Sequence, residues 1–332
     1  MKAERTIGFA SHYLFGQESL SHLKEDREFH TLSLHPHAFN LGLQGPDIFY
    51  YYLPAWLLYD KNIASHIHGE SSLQFFIAML DARNKLSKHS HRIIADAYIC
   101  GFLGHYTLDT YCHPYIFART HHLQNKDRNG GLYDFGRHVF LETGIDQEMI
   151  SHFLHCKPTD FRPGDTIALS PKERCVIAKV LAFAIAKVYP DAAMPKWQIR
   201  GACRAMKTES RLMHDPTGIK KRLVRRLEAI FVKVPVISPM LPSDTVYAYK
   251  DPCNYRHKLW HNPWNPEIDH TESMYDLFTI AAPTFADRIH AYFGAVNEHT
   301  DVSMEDIYHA RNNFMEKHGD LSYNTGLPLS IC

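Results

Sequence analysis

Apolar residues recur at three- and four-residue spacing along most of the chain, which is the pattern of amphipathic α-helices. Sustained alternation of apolar and polar residues, which would indicate half-buried strands, is rare, and the best short candidate covers residues 245–250. The helical spacing continues through residues 10–23, 63–88, 91–112, 131–155, 171–188, 196–213, 217–233, 271–293 and 304–318. The pattern therefore predicts an all-α fold, a bundle of many helices.

Polar residues and glycine mark the ends of two of these helices. Ser170 and Glu173 flank Pro171, so they predict an N-terminal capping box with proline at the first helical position. Ser303 can begin the last helix, and Gly319 can end it, because glycine readily adopts the left-handed conformation that terminates helices. Both helices therefore have boundaries that the sequence itself defines.

Proline sets limits on two further helices. Because proline disfavours the helical conformation of the residue before it, Pro114 predicts that one helix ends near His113. Pro283 predicts a kink or a break within 271–293. The remaining segments are predicted to be loops, and they cover residues 29–61, 119–131, 157–170 and 235–268.

The balance of charges argues against a protein that binds polyanions through its net charge. The 332 residues include 36 Lys+Arg and 36 Asp+Glu, so no overall field attracts nucleic acid or an anionic membrane. Residues 196–235 depart from this balance, with eleven basic side chains against three acidic ones. This stretch could contact phospholipid headgroups or RNA, although a solvated helix face is the more ordinary interpretation.

The cysteine pattern and the first residues favour a cytoplasmic protein. The 7 cysteines are an odd number, and no two of them form a CxxC pair. Residues 1–16 lack the apolar core of a signal peptide. The most apolar helical run, 176–189, contains lysine and is too short to span a bilayer. We therefore expect a cytoplasmic location and no transmembrane segment.

Histidine is the residue type that points to chemistry. The chain contains 24 histidines, and imidazole is the commonest metal ligand among side chains. His105 and Asp109 are four residues apart and would lie on one helix face, where they can bind one zinc ion. Asp109 has a second oxygen that could bridge to another ion, and His113 continues the row. The HxxxDxxxH pattern therefore predicts a metal-binding helix face.

A second row of the same kind follows. His138 and Glu142 are again four residues apart, and Asp146 extends the row. A single pair of this kind would ordinarily be a surface contact worth a few tenths of a kcal/mol. Two such rows, one of them embedded in apolar residues, favour a shared metal centre instead.

Three residues upstream complete the candidate set. His12 lies in an apolar helical segment, Asp47 in a Gly-Pro-Asp turn and His68 directly before a glycine. Each alone would suit a structural role as a cap, a turn residue or a buried core histidine. Together with the two rows they give five imidazoles and three carboxylates, which could hold two or three zinc ions and leave positions for water and substrate.

Most of this chemistry lies in the first part of the chain. We predict that residues 1–155 form a metal-binding helical core that carries the active site. Residues 156–332 would then be additional helices packed on this core or a smaller helical domain.

The order of these residues resembles that of the zinc-dependent phospholipase C family. The similarity lies within residues 10–146 and is carried by GPDIFYY, HGESSLQFF, GFLGHYTLDTYCHPY and RHVFLE. The resemblance implies an all-α fold related to the P1/S1 nucleases, with three zinc ions in a cleft between helices. It assigns Asp47, His68, His105 and Asp109 to a first zinc site, His113, His138 and Glu142 to a second, and His12 with a shared oxygen of Asp109 to a third.

One feature departs from the pattern of that family. Secreted members complete the third site with the amino group and carbonyl of an amino-terminal tryptophan, whereas the first tryptophan here is Trp56. The amine of Met1 could complete the site, or the site could be weaker, occupied by another ligand or empty. We expect that His12 and Asp109 hold the third ion with water, because nothing in MKAERT resembles the family's ligand.

The resemblance implies a hydrolase that cleaves a phosphate ester with metal-activated water. Asp47 could orient that water or ligate the first zinc, and Asp109 would bridge two ions, so both are predicted to be catalytic. The aromatic stretch 49–59 could line a lipid chain, form a choline cage or stack on a base, or it could simply pack on the core.

Three functions are compatible with this chemistry. The first is a phospholipase C-like phosphodiesterase that acts on a phospholipid or another phosphodiester and contacts membranes peripherally. The second is a P1-type nuclease or nucleotidase, so nucleic acid remains a candidate substrate. The third is a non-catalytic helical protein whose helices are held together by structural zinc. Fold alone does not distinguish the substrates, so the lipid assignment rests on the resemblance.

Overall fold

The computed structural model describes residues 8–21, 23, 27–120, 132–231, 237–241, 250–296 and 303–329. These residues are mostly helical, with α1 (Phe9–Ser21), α2 (Arg27–Ser33), α3 (Pro36–Gly42), α4 (Leu53–Leu57), α5 (Ile63–Gly69), α6 (Ser72–Asn84), α7 (His89–Thr120), α8 (Leu132–Leu154), α9 (Pro163–Thr166), α10 (Pro171–Val188), α11 (Lys196–Met213), α12 (Ile219–Phe231), α13 (Met274–Ala295) and α14 (Met304–His318). Short 3₁₀ helices cover Gly45–Phe49, Pro158–Asp160, Pro190–Ala192 and Ser238–Met240. Two short antiparallel strands are β1 (Trp260–Asn262) and β2 (Asn265–His270). The predicted all-α fold class is confirmed.

Helix α7 lies at the centre of the molecule. Nearly every side chain from Ile94 to Phe117 is buried. Helix α3 crosses α7, and α8, α10 and α13 pack around it. Because neighbours cover every face, the sequence of α7 is apolar all round rather than amphipathic. Polar side chains on α7 must therefore find their partners inside the protein.

Two glycines allow α3 and α7 to approach closely. A Cβ on Gly101 would lie 2.9 Å from the Cα of Gly42 and would overlap the carbonyl oxygen of Phe39. A Cβ on Gly42 would lie 2.9 Å from the backbone nitrogen of Phe102. The close crossing brings the segment that follows α3, which includes Asp47, against α7.

Helix α7 does not end at Pro114, so the predicted boundary near His113 is wrong, and the helix continues to Thr120. Proline has no N–H, so the carbonyl of Thr110 loses its partner in the helix. Gly326 packs against this carbonyl so closely that a Cβ on the glycine would overlap it. Tertiary packing therefore overrides the local effect of proline, and His113 stays on the predicted helix face.

Several segments predicted to be loops contain short regular elements. The loop predicted over 29–61 contains α3, α4 and most of α2, which are five to seven residues long and therefore too short to show a helical period. The loop predicted over 235–268 contains β1 and most of β2. The strand candidate 245–250 lies almost entirely outside the described residues. Helix α13 runs through Pro283, which excludes a break there.

The predicted caps are present. The Ser170 hydroxyl accepts a hydrogen bond from the backbone nitrogen of Glu173 at 3.2 Å, and the Glu173 carboxylate accepts one from the Ser170 nitrogen at 2.7 Å. Ser303 forms the same capping box with Asp306 at the start of α14. Gly319 ends α14 with a φ of 80°. The predicted boundaries of α10 and α14 are therefore confirmed.

Helices from both predicted parts of the chain contact each other. Helix α10 packs on α6 and α7, and α13 packs on α1 and α7. The division of the chain at residue 155 itself stays a prediction. Within the described residues, no helix has both the length and the apolar character needed to cross a membrane.

Candidate metal centre

Five elements bring eight buried polar side chains together around α7. They are His12 on α1, Asp47 in the 3₁₀ helix Gly45–Phe49, His68 on α5, His105, Asp109 and His113 on α7, and His138 and Glu142 on α8. None of them is more than 6% exposed. They form three groups, in each of which the candidate ligand atoms lie within 4.8 Å of one another.

The first group contains Asp47, His68 and His105. His68 Nε2 lies 3.6 Å from Asp47 Oδ1 and 3.4 Å from His105 Nε2. Asp109 Oδ2 adjoins the same atoms, at 3.1 Å from His105 Nε2 and 3.5 Å from His68 Nε2. The structure thus brings together the four residues that the resemblance assigns to the first zinc.

Another group, His12 with His105 and Asp109, lies beside the other oxygen of Asp109. It corresponds to the zinc site that the resemblance numbers third. His12 Nε2 is 3.3 Å from Asp109 Oδ1, and the His12 ring stacks on that of His105 with 4.2 Å between centroids. His105 belongs to this group as well as to the first, which the resemblance does not imply. Asp109 therefore presents one oxygen to each of two groups, as a bridging carboxylate does.

The remaining group corresponds to the second zinc site and joins α7 to α8. It contains His113, His138 and Glu142, and His138 Nε2 lies 2.8 Å from Glu142 Oε1. His113 Nε2 is also 3.7 Å from Asp109 Oδ1, so this group adjoins the other two. The position of His113 depends on the continuation of α7 through Pro114.

Backbone carbonyls orient three of the imidazole rings. A ring that donates through its Nδ1–H leaves Nε2 unprotonated and able to bind a metal. The three contacts are His68 Nδ1 to the Ala64 carbonyl at 2.9 Å, His105 Nδ1 to the Leu43 carbonyl at 3.2 Å and His113 Nδ1 to the Tyr323 carbonyl at 2.9 Å. In all three residues the neutral ring therefore presents an unprotonated Nε2 to the centre, which is the form that zinc binds.

Burial and the carboxylates set the ionisation of these groups. Burial lowers the pKa of His113 to about 4 and also lowers the pKa of His105. Burial acts on His68 in the same direction, but contact with Asp109 and the charges of Asp47 and Asp109 raise the pKa of His68. Burial alone would raise the pKa of Asp109, yet the rings of His105 and His113 hold it well below its usual range. Binding of a cation requires an ionised Asp109 and unprotonated ring nitrogens, so a metal ion would compete with protons for these rings.

The donor atoms and their spacing fit zinc. Ligands about 2.0–2.1 Å from a tetrahedral zinc ion are about 3.3–3.4 Å apart. The distance from His12 to Asp109 is 3.3 Å, and that from His68 to His105 is 3.4 Å. Both ring nitrogens of His12, both oxygens of Asp109 and His113 Nε2 are buried without a hydrogen bond of regular geometry to any described residue. Buried polar atoms need partners, and a metal ion would supply them.

Local sequence explains how Asp47 reaches the centre. Gly45 has a φ of 49°, a left-handed conformation that glycine adopts without strain. A Cβ at Gly45 would also overlap the ring of His105. Pro46 then occupies the first turn of the 3₁₀ helix Gly45–Phe49, which contains Asp47. The Gly-Pro-Asp turn is therefore required both for the backbone conformation and for the space beside the ligand.

Two contributors to the centre were not assigned from the sequence. Tyr323, which follows α14, orients His113 through its carbonyl and places its ring 4.8 Å from that of His68. Asp146 does not join the His138 group but accepts hydrogen bonds from the backbone nitrogens of Ala10 at 3.0 Å and Ser11 at 2.8 Å. A backbone carbonyl has no sequence signature. The i,i+4 spacing of Asp146 from Glu142 is visible in the sequence, but it suits a metal ligand as well as a residue that contacts another helix.

Histidines outside the set of eight candidate ligands contact other groups. His35 Nδ1 is 2.9 Å from Glu173 Oε1, and His37 Nδ1 is 2.8 Å from the carbonyl of Thr166. Met1, His121 and His122 lie outside the described residues, so a third site completed by water rather than by the Met1 amine stays a prediction.

Comparison with known protein families identifies the chain. The model of the zinc dependent phospholipase C family matches residues 11–190, which is more than half of the 332 residues and includes all eight candidate ligands. Searches of the curated proteins and of the solved structures gave no match. The chain belongs to the zinc-dependent phospholipase C family.

Proposed function

We propose that this chain is a zinc-dependent phosphodiesterase that hydrolyses the phosphate ester of a phospholipid. The position of Asp109 carries the proposal. Its carboxylate lies between 3.1 and 3.7 Å from the Nε2 atoms of four imidazoles, which belong to His12, His68, His105 and His113. A carboxylate shared in this way suits two adjacent metal ions rather than one closed structural site.

The proposed chemistry needs two to three zinc ions. When bound, zinc supplies a Lewis acid for the phosphoryl oxygens and lowers the pKa of a water molecule. Contacts between Nδ1 and backbone carbonyls fix the tautomer of His68, His105 and His113, so that each neutral ring would offer Nε2 to a metal ion. Asp109 supplies negative charge between the groups and is proposed to bridge two ions.

Asp47 is proposed to orient the attacking water and accept its proton. Asp47 and Glu142 are the most exposed of the eight residues, at 4% and 6%, so they are the ones that solvent reaches most readily. Asp47 Oδ1 is 3.6 Å from His68 Nε2, which leaves the carboxylate at the edge of its group. A carboxylate at this edge can either complete a metal site or act on a water beside it.

Aromatic rings beside the first group support a headgroup site. The ring of Tyr50 stacks on that of His68 with 6.0 Å between centroids, and Trp56 stacks on Tyr50 with 5.7 Å between centroids. The π faces of such rings bind quaternary ammonium groups such as choline. Family membership favours this substrate class.

The same stacked rings favour a second candidate function. The face of Tyr50 or Trp56 can also stack on a nucleobase. A P1-type nuclease or nucleotidase is therefore the alternative. The non-catalytic alternative requires closed four-ligand sites. The groups that contain His12 and His68 share His105 and adjoin the same Asp109 carboxylate, which supports open positions and therefore catalysis.

Metal content and a substrate panel test the proposal. Zinc-reconstituted protein is analysed by mass spectrometry and assayed with phosphatidylcholine vesicles, p-nitrophenyl phosphorylcholine and single-stranded DNA. We expect two to three zinc ions per chain and hydrolysis of the first two substrates. His35→Ala, which changes a histidine outside the centre, should behave as the unmodified protein.

Each other result has a defined meaning. Zinc content well below one ion per chain would refute the metal centre. Hydrolysis of DNA alone would favour the nuclease, and zinc without hydrolysis would favour the non-catalytic protein.

A cytoplasmic location is also proposed. The six cysteines within the described residues are free thiols, which supports a reducing compartment. The location is tested by fractionating the producing cell, with a disulfide-containing protein as the marker of the secreted fraction. Recovery of the chain in the secreted fraction would contradict a cytoplasmic location.

A further inference from the structure

Helix α12 lies on the protein with its apolar side chains turned outward. Because they lie at positions 219, 223, 227, 230 and 231, these side chains share one arc of the helix. Their exposed fractions range from 46% to 78% for Ile219, Leu223, Leu227, Ile230 and Phe231. The buried residues of α12 are instead Lys221 and Glu228. This orientation is the reverse of that of an ordinary surface helix.

Polar contacts on the inner side fix this orientation. Lys221 Nζ donates to the carbonyl of Leu241 at 2.9 Å. The Glu228 carboxylate accepts hydrogen bonds from the backbone nitrogens of Ile237 and Ser238, the latter at 3.1 Å. Rotating α12 to bury its leucines would break these contacts. The apolar arc is therefore held outward by the fold.

Cations border the apolar arc. Lys220, Arg222, Arg225 and Arg226 are exposed, and Glu228, the single acidic residue among the fully described residues of α12, is buried. An apolar arc flanked by lysine and arginine is complementary to an anionic lipid surface. The apolar side chains enter the boundary of the acyl chains, while the cations contact headgroup phosphates.

The helix is connected to the candidate metal centre through α8. It packs on the 3₁₀ helix Ser238–Met240, which in turn packs on α8. Lys221 Nζ also lies 6.0 Å from the ring centroid of Phe140, a residue between His138 and Glu142 on α8. A surface that binds α12 would therefore adjoin the helix that supplies two candidate ligands.

We propose that α12 docks the protein on membrane surfaces that contain anionic phospholipids. This docking rests on the proposed function, because a phosphodiesterase that acts on lipids must reach its substrate at such a surface. The net charge of the chain is zero, so the attraction is local to this helix and its neighbourhood.

Co-sedimentation with vesicles tests the docking directly. The zinc-loaded protein is mixed with vesicles of phosphatidylcholine alone or of phosphatidylcholine with about one-third phosphatidylserine. That fraction of anionic lipid gives the vesicle a negative surface potential. We expect preferential binding to the second vesicle and loss of that preference in high salt, because salt screens exposed charges.

Two sets of variants identify the surface. Leu223→Ser with Ile230→Ser should lower the vesicle partition coefficient on the order of tenfold or more, because two apolar side chains no longer enter the lipid. Ile280→Ser on α13 is the matched control, since Ile280 is exposed at 48% outside α12. Arg222→Gln with Arg225→Gln should remove the preference for phosphatidylserine. Lys88→Gln with Lys157→Gln is the matched control, since both lysines are exposed and lie outside α12, and it should retain that preference.

Hydrolysis of soluble p-nitrophenyl phosphorylcholine separates this proposal from the proposed function. The α12 variants should hydrolyse this substrate as the unmodified protein does, while losing hydrolysis of vesicle lipid. If the unmodified protein hydrolyses neither substrate, the proposed function fails, and vesicle binding still decides the docking.

Three outcomes would overturn the docking. The first is that the unmodified protein does not bind anionic vesicles, and the second is that the serine variant binds them equally. The third is that the unmodified protein binds no lipid and is a dimer by light scattering, whereas the serine variant is a monomer. That result would make the apolar arc an interface between two copies.

Discussion

Replacing Asp146 tests whether a carboxylate on α8 holds α1 in place. Asp146 accepts hydrogen bonds from the backbone nitrogens of Ala10 at 3.0 Å and Ser11 at 2.8 Å, and from the Ser11 hydroxyl at 2.6 Å. Gly8 lies so close that a Cβ there would overlap the carboxylate. The negative charge also complements the positive end of the α1 dipole. Since α1 carries His12, this contact ties one candidate ligand to the helix that carries two others.

The expected loss of stability follows from these contacts. Asp146→Ala leaves two backbone donors of α1 without their acceptor, and each such donor costs about 1–3 kcal/mol. Burial raises the pKa of Asp146 to about 6, so the cost of burying the charge offsets part of the hydrogen bonding. We therefore expect the free energy of unfolding to fall by about 2 kcal/mol. Asp146→Asn keeps one acceptor oxygen and should lose about half as much.

Thermal unfolding and zinc titration against a competing chelator measure both consequences. We expect a melting temperature lower by several degrees. The zinc affinity of the site that contains His12 should fall roughly 10–100-fold, as for other losses of a supporting residue, while the remaining ions stay bound. Asp269→Asn is the control, because it removes a carboxylate that is 75% exposed in the β1–β2 hairpin.

A smaller perturbation refines the test. Ser11→Ala removes only the hydroxyl partner and should cost less than Asp146→Ala, and the double variant should show that the two effects are not additive. An Asp146→Ala protein with unchanged melting temperature and zinc affinity would show that the contact does not position α1.

Further predictions concern the centre itself. Asp109→Asn should lower the zinc content by more than one ion and abolish hydrolysis, and unchanged metal content would mean that it bridges nothing. His12→Ala should weaken one zinc site alone, and unchanged zinc affinity would remove His12 from the centre. Chelation should lower the melting temperature strongly, because metal binding contributes folding energy; a chelated protein of equal stability would contradict this. The folded pKa of His113 is about 4, below the ordinary value of 6.5, so zinc-free protein should lose stability as pH falls from 6.5 towards 4. His113→Ala should flatten that dependence in denaturant titrations.

Helices such as α10 and α11 could be predicted from the sequence because each buries one side against the rest of the molecule. Such burial imposes a period that is visible over ten or more residues, as in α10 and α11. The caps at Ser170 and Gly319 could be predicted for a related reason, since they depend only on neighbouring residues. The i,i+4 spacing of His105 and Asp109 likewise fixed their shared helix face.

The remaining features depend on residues that are distant in sequence. Helix α7 continues through Pro114, where Gly326 packs against the carbonyl that has lost its helical partner, and no window around residue 114 contains that distant contact. The short helices α3 and α4 are defined by packing rather than by period. The carbonyls of Leu43 and Tyr323 orient the rings of His105 and His113, although neither residue belongs to the i,i+4 ligand rows. Every residue has a backbone carbonyl, so the sequence does not indicate which one contacts a ligand.

The centre explains why α7 can hold polar side chains in an apolar core. His105, Asp109 and His113 are fully buried, and burying a polar group without a partner costs free energy. Backbone carbonyls satisfy the outer ring nitrogens, but the inner nitrogen of His113 and both oxygens of Asp109 lack regular hydrogen bonds to the described residues. Bound metal ions would satisfy these atoms and would also join α7 to α1 and α8. We therefore expect zinc removal to loosen α1 and α8 before the core around α3, α7 and α13, and hydrogen exchange measured with and without chelator can distinguish these helices.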